Sequence, residues 1–429
     1  MKLKAIPLAL LCAGIMSQPV LADDMSELRA QLKAMQLQIQ LMQAKLDAQD
    51  SAIKKQQQTT TEIKHQQAFR EKDKDARPVA HQVADSLSIG GVIEILAHHT
   101  DSDNWSGDNA SDIVLDTFEL GIDAQAGEWV TGHILFLYEQ DPGPGRDTDD
   151  LQVDEALITI ANSDVTPFYA AAGRMYLPFG NFESNMISDP ATLTLAEIRN
   201  EVVQLGFETE SGFYGSGYVF NGDIPESKSN MSSRSNSHID NYGLNIGYAM
   251  ENDDFSLDVG AGYVNNIAAA AGLFDAMKGN AACAGEDCVK DYVGGMSLYA
   301  IANIGSFNLI GEYIAAADDF STTDFAYAPA TAEKLRPKAW NIEGAYHFNI
   351  AGKESTFALG YQKTEDFYLQ QSKEYFEKAW LASISVGILE STTLAAEWRH
   401  ADGYSEVKNA IGNDFDDEDR LQVKLSYEF

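Results

Sequence analysis

Arg420-Leu421-Gln422-Val423-Lys424-Leu425-Ser426-Tyr427-Glu428-Phe429 ends the chain, and its reading decides the fold. Leu421, Val423, Leu425, Tyr427 and Phe429 alternate with Gln422, Lys424, Ser426 and Glu428. Period two means a strand with one apolar and one wet face. A soluble sandwich strand shows the same alternation, so the decision rests on recurrence. From Leu87 onward the pattern repeats, and sixteen strands are read: 87–98, 112–126, 128–140, 150–162, 166–176, 201–210, 212–222, 239–251, 254–266, 292–305, 306–317, 337–349, 353–365, 376–388, 391–402 and 418–429. Each reaches the roughly 9–11 residues of a tilted membrane-spanning strand.

The connections separate a membrane barrel from a sandwich. Those after even-numbered strands are short: Gly127, Ser163-Asp164-Val165, Ser211, Asp253, Ala351-Gly352 and Glu390. Those after odd-numbered strands are long and polar, as at 99–111, 141–149, 223–238, 267–291, 318–336 and 403–417. Transmembrane barrels have short turns at one end and long loops at the other. The expected fold class is therefore an all-β transmembrane barrel of sixteen antiparallel strands. A barrel of that size leaves an aqueous channel.

In lipid the apolar face must point outward, because a charge there costs about 2–4 kcal/mol at the midplane. Trp340, Ile342, Tyr346 and Phe348 then face out, and Asn341, Glu343 and His347 face in. The same alternation puts Glu94, Glu119, Glu312, Glu343 and Glu397 in the lumen, with fewer bases: Arg174, Arg399 and Lys424. Trp129, Tyr138, Tyr169, Trp380 and Tyr427 lie near strand ends and are expected in the interfacial girdles.

Residues 1–22 read as a signal peptide: Lys2 and Lys4, an apolar run from Ile6 to Met16, and Val20-Leu21-Ala22 for cleavage. Over 23–55, Leu28, Leu32, Met35, Ile39, Met42, Leu46, Gln49 and Ile53 follow alternating four- and three-residue spacings. That is a heptad seam, so an oligomerising coiled coil is expected, with a charged linker over 56–86 before the barrel at 87–429. An amphipathic surface helix is the alternative. The loop-length asymmetry puts the coiled coil at the short-turn, periplasmic end.

The formal charge is −35. Residues 23–77 are nearly neutral, so the negative surplus sits in the barrel region. Such a field repels nucleic acid and favours cations. No cofactor is expected, and lipid and lipopolysaccharide are the expected surroundings. Cys283 and Cys288 lie outside the signal peptide and read as a small disulfide; no second pair or His cluster completes a zinc shell. His98-His99 beside Asp101 and Asp103 raises a barrel hydrolase as an alternative, and a membrane-anchored tether is another. No Gly-x-Ser-x-Gly is present, and the expectation is a non-enzyme.

One long connection departs from the rest: Gly173-Arg174-Met175-Tyr176-Leu177-Pro178-Phe179-Gly180-Asn181-Phe182-Glu183, continuing through Asp189-Pro190 to Glu197-Ile198-Arg199. It is too apolar for a water-exposed loop, so it is expected to fold into the lumen as a constriction. Arg174, Glu183, Asp189, Glu197 and Arg199 would then ring the pore with charge. The Gly-Arg-x-Tyr-x-Pro-Phe-Gly-x-Phe segment, the heptads and the terminal Phe429 together resemble the LbtU-type siderophore porins of the Gram-negative outer membrane. The resemblance implies uptake of small solutes, with ferric siderophores as the family substrate. Phosphate- and sugar-selective porins carry similar Pro-Phe-Gly segments, and a sugar-selective or general cation-preferring trimeric porin stands as the alternative. An acidic lumen fits neutral or cationic solutes better than anionic ones.

Overall fold

The computed structural model describes residues 86–102, 110–140, 151–222, 239–252, 255–277, 289–325, 328, 332–367, 376–404 and 417–429. The expected signal peptide, coiled coil, nearly all of the linker and the Cys283–Cys288 pair lie outside these residues. The barrel belongs to the compact unit Lys72–Phe429.

Sixteen antiparallel strands form a closed barrel in which each pairs with its sequence neighbours. They are β1 (Leu87–Ser102), β2 (Ala110–Ala126), β3 (Val130–Glu139), β4 (Gln152–Ala161), β5 (Phe168–Tyr176), β6 (Arg199–Glu208), β7 (Phe213–Phe220) and β8 (Asn241–Asn252). The circuit continues through β9 (Phe255–Val264), β10 (Gly295–Ile304), β11 (Phe307–Ala316), β12 (Lys338–Ile350), β13 (Lys353–Glu365), β14 (Lys378–Leu389), β15 (Thr392–Asp402) and β16 (Asp417–Glu428). Every expected strand overlaps an observed one. β16 pairs back onto β1, from Val92 opposite Glu428 to Ser102 opposite Glu418, and leaves no open edge. The short turns are tight: Ala351 and Gly352 both have positive φ, 51° and 83°, the two-residue geometry that matches strand twist.

Burial is inverted relative to a water-soluble sheet. On β12, Trp340 and Ile342 are 38% and 54% exposed, while Asn341 and Glu343, which alternate with them, are 0% and 3%. The apolar residues form an outward band and the polar ones face in, as a lipid-facing barrel requires. Cross-strand aromatic pairs reinforce the band. Tyr313 and Trp340 rings lie 4.2 Å apart, and Tyr361 and Trp380 rings 4.7 Å apart, at the long-loop end. Phe307 and Tyr346 lie 5.0 Å apart at the short-turn end. Tyr169 does not join a girdle. Its hydroxyl accepts from Gln204 Nε2 at 3.0 Å on the inner face, because Phe168 takes the outward parity.

The terminal aromatic residue has a structural task. Phe429 and Gly91 exchange both backbone hydrogen bonds at 3.1 Å, which completes closure. A Cβ on Gly91 would come 2.7 Å from the Phe429 ring, so glycine makes the bed for that ring.

The long-loop end is packed. Helix α1 (Ala191–Ala196) follows β5, and a 3₁₀ turn (Ile267–Ala269) with helix α2 (Ala271–Met277) follows β9. Phe320–Ser321 pairs with Lys334–Leu335 as a small ribbon. Leu195, Ile267, Leu273, Met277, Phe320, Leu335 and Phe367 are almost fully buried in one apolar cluster. Beyond the channel and inward loop expected from the sequence, the structure adds this packed apolar layer across part of the barrel end. Its driving force is burial of roughly 25 cal/mol for each Å² of apolar surface.

Candidate functional site

Residues 177–198 leave β5 and cross to the opposite wall. Leu177, Phe179, Leu195, Ala196 and Ile198 are buried, which explains why the loop turns inward rather than out into water. Its backbone N–H groups then need acceptors away from bulk water. Three wall glutamates supply them. Glu312 on β11 accepts from Asn181 N at 2.7 Å and Thr192 Oγ1 at 2.6 Å. Glu343 on β12 accepts from Ser184 Oγ and Asn185 N, both at 2.7 Å. Glu397 on β15 accepts from Ile187 N and Ser188 Oγ, both at 2.5 Å. Gln362 and Ser383 add bonds to Ala191 N and the Asn185 carbonyl.

The Pro178-Phe179-Gly180 motif makes this route possible. Gly180 has φ of 104°, and a Cβ there would lie 2.9 Å from Glu312 Oε1 and 2.8 Å from the Phe182 ring. Phe179 lies against the inner wall at Gly262, where a Cβ would sit 3.3 Å from its ring. At the far end of the loop, Ala271 N donates to the Glu197 carbonyl at 3.1 Å and ties α1 to α2.

The loop carries titratable groups. Burial, reinforced by the charges of Asp258 and Glu312, pushes the Glu183 carboxyl up to about 7. Burial also pushes Glu197 up to about 8, helped by the charges of Asp189, Glu139 and Glu155. Glu197, Asp189, Glu139 and Glu155 thus form one acidic patch between the loop and the β3–β4 wall. His133 Nδ1 contacts Asp123 at 2.6 Å beside it, and its Nε2 lies 3.7 Å from Glu155.

The bases are concentrated on β15 and β16, and each has a carboxylate. Lys424 donates to Glu94 at 2.9 Å, and Ser426 joins it at 2.7 Å. Arg399 and Arg420 both approach Glu418, at 3.3 Å and 3.1 Å, and Arg399 lies over the Phe376 ring at 4.5 Å. Three bases thus share two carboxylates there, while the acidic excess lies on the loop and the β3–β4 wall.

The expected residues divide as follows. Glu94, Glu312, Glu343, Glu397, Arg399 and Lys424 face inward, and Glu119 shares an inner position with its partner Leu137. Glu183, Asp189 and Glu197 are on the loop. Arg199 stands at its root, in contact with Asp154 and 5.9 Å from the Tyr176 ring centre.

Arg174 is a correction. Ala171 and Met175 take the inner face of β5, so Arg174 points outward. It donates there to Glu201 at 2.7 Å, directly across the strand pair. It therefore neither lines the lumen nor joins the ring of charge.

Glu139, Glu155, Glu418, Arg420 and the α2 loop were missed. The alternation of Arg420 with Leu421 and the apolar run after Asn266 were available as signals. Elsewhere, among the described residues, donor atoms of His400, Asp402 and Asp417 gather within 4.8 Å at the rim. Lys378 holds Asp402 at 2.9 Å there.

No protein-family model matches the chain. A UPF0422 protein of Coxiella burnetii is 29% identical over 313 residues, 72% of this chain and 62% of that protein. A UPF0422 protein of Legionella pneumophila strain Philadelphia 1 is 24% identical over 344 residues, 76% and 61% of the two lengths. The chain thus spans about three-fifths of these relatives. Among solved structures, Pseudomonas putida OprB aligns with a TM-score of 0.54 at 9% identity, over 82% of this chain and 96% of that one. An anion-selective porin of Comamonas acidovorans gives 0.52 at 12%, over 80% and 99%. The outer-membrane channel DcaP of Acinetobacter baumannii gives 0.51 at 14%, over 80% and 97%. These likenesses show the fold.

Proposed function

We propose that the chain is a porin of the Gram-negative outer membrane that lets small hydrophilic solutes diffuse down their gradient. The observation that carries this reading is the loop pinned across the lumen by Glu312, Glu343 and Glu397. A loop fixed in this way narrows the passage and puts Glu183, Asp189 and Glu197 beside the solute. Their charge, with Arg199 at the root, selects by sign. With the bases on β15 and β16 drawn to Glu94 and Glu418 and the acidic patch facing the loop, the passage prefers cations and neutral molecules. Transport, not catalysis, is the task.

Ferric siderophores are the solute class that the family resemblance brings. The acidic patch favours neutral or cationic ferric complexes over anionic ones. Self-association is part of the reading, through the coiled coil at 23–55 and through an outward face. Arg174 and Glu201 support that face. Where β12 and β14 present Trp340 and Trp380 outward, β5 and β6 present an ion pair, with Ala170 and Ala172 on the same face of β5. A second copy would cover charges that lipid penalises by up to about 2–4 kcal/mol each.

Planar-bilayer recording in a salt gradient tests the channel. Cation-selective steps are expected. A folded barrel that gives no steps would refute the porin reading.

A further inference from the structure

The inner face of β7 to β10 differs from the acidic side of the lumen. These strands contain no Lys or Arg, and their acids are Asp258 and Glu251, the latter near the short-turn end. Four residues form one row across them. Tyr214 stands opposite Gly247, Gly247 opposite Gly260, and Gly260 opposite Tyr299. A Cβ on Gly247 or Gly260 would lie 2.6 Å from a ring carbon of Tyr214 or Tyr299. Both rings therefore lie flat on the wall over the two glycines. Their hydroxyls hydrogen-bond each other, and Tyr214 Oη also donates to Asp258 Oδ1 at 2.6 Å.

The surroundings mix amides and hydroxyls with carboxylates, and Glu312 on β11 stands directly opposite Tyr299. The Asn181 side chain of the loop reaches the Tyr299 hydroxyl. Ser216 Oγ donates to Asn245 Oδ1 at 2.5 Å in the row toward the loop end. Glu183, on the loop, lies close enough to Asp258 to feel its charge.

We propose that this Tyr–Gly–Gly–Tyr floor is a binding site for a neutral carbohydrate, resting on the porin reading for its access. The C–H face of a pyranose stacks on a flat aromatic ring, and its hydroxyls find a carboxylate acceptor and amide partners around the rim. Glycine at 247 and 260 is what lets the rings lie flat; any side chain would lift them. The carboxylates beside the row are already engaged as acceptors, Asp258 from Tyr214 and Glu312 from Asn181 N and Thr192 Oγ1, so they act on a ligand as hydrogen-bond groups.

Calorimetric titration of the full-length protein in detergent with maltohexaose and sucrose tests the site without requiring conduction. Saturable binding is expected for at least one sugar. Tyr299→Ala weakens it about tenfold, the loss expected for one stacking contact. Tyr299→Phe, which keeps the ring, stays near the parent, and Tyr214→Phe keeps the ring but drops the bond to Asp258. Heat-modified gel migration checks that each variant is a folded barrel. Absence of sugar binding by the folded parent overturns the site, as does binding that Tyr299→Ala leaves unchanged. Binding of an alkylammonium probe in preference to either sugar also overturns it. Bilayer currents of the same preparation judge the porin reading separately.

Discussion

Replacing Glu397 with Ala tests what holds the loop across the lumen. Glu397 accepts from Ile187 N, Ser188 N and Ser188 Oγ, at 2.5, 3.2 and 2.5 Å. A hydrogen bond to a charged group contributes about 1.5–3 kcal/mol, but water in the lumen replaces part of it, so a net loss of about 2–4 kcal/mol is expected. That raises the population of a detached loop tip about 30- to 700-fold relative to the pinned one. Detachment stays local, because Phe179, Leu195 and Ile198 keep both roots of the loop buried. Single-channel recording should therefore show larger conductance and more open-channel noise than the parent. Adding Glu343→Ala should enlarge both, since Ser184 and Asn185 lose their acceptor. Conductance, noise and selectivity equal to the parent in a folded double variant would refute the pinning argument.

Reversal potential should depend on pH. Glu183 and Glu197 hold their protons to about 7 and about 8, so both are largely neutral at mild acidity and charged in mild alkali. Cation selectivity should therefore rise between about pH 6 and 9, and Glu197→Gln should flatten the upper part of that rise. Because folding raises both carboxyls above their ordinary 4.5, stability falls as pH climbs from about 4.5 through about 7 and about 8 and levels off above, which thermal unfolding across that range would register. Gly180→Ala forces a side chain into a φ of 104° against Glu312 and should lower thermal stability by about 1–3 kcal/mol. Arg174→Leu with Glu201→Leu should leave the barrel folded but weaken its oligomer, read by crosslinking in detergent; unchanged crosslinking assigns the pair no part in association. Removing Phe429 deletes the ring over Gly91 and both closing backbone bonds, and should slow refolding into vesicles.

Much of the barrel was legible because lipid enforces a period-two code. Trp340-Asn341-Ile342-Glu343 can be placed by alternation alone, and its observed faces follow that count. Closure between Phe429 and Gly91 was not readable, since pairing of chain ends leaves no local pattern. At Arg174 the counting rule holds, and the expectation of a lumen residue departed from it. The alternation through Ala171 and Met175 sends Arg174 outward, but the neighbouring motif suggested a pore residue. Loop composition flagged 173–199 as inward, and 177–198 is the part that crosses the lumen. It did not identify the three glutamates as its anchors, because acceptors 120 to 210 positions away in the chain have no signature in sequence. The Tyr214–Gly247–Gly260–Tyr299 row was hidden for a similar reason: only register across four strands assembles it.

The reversal potential of single channels in a salt gradient is the most direct test of the central claim, a passive passage whose acidic lining selects by charge. The account predicts discrete steps with a potential on the cation-selective side, moving toward zero when Asp189→Asn and Glu197→Gln are combined. Anion-selective steps in the parent, or a folded barrel without steps, would contradict it.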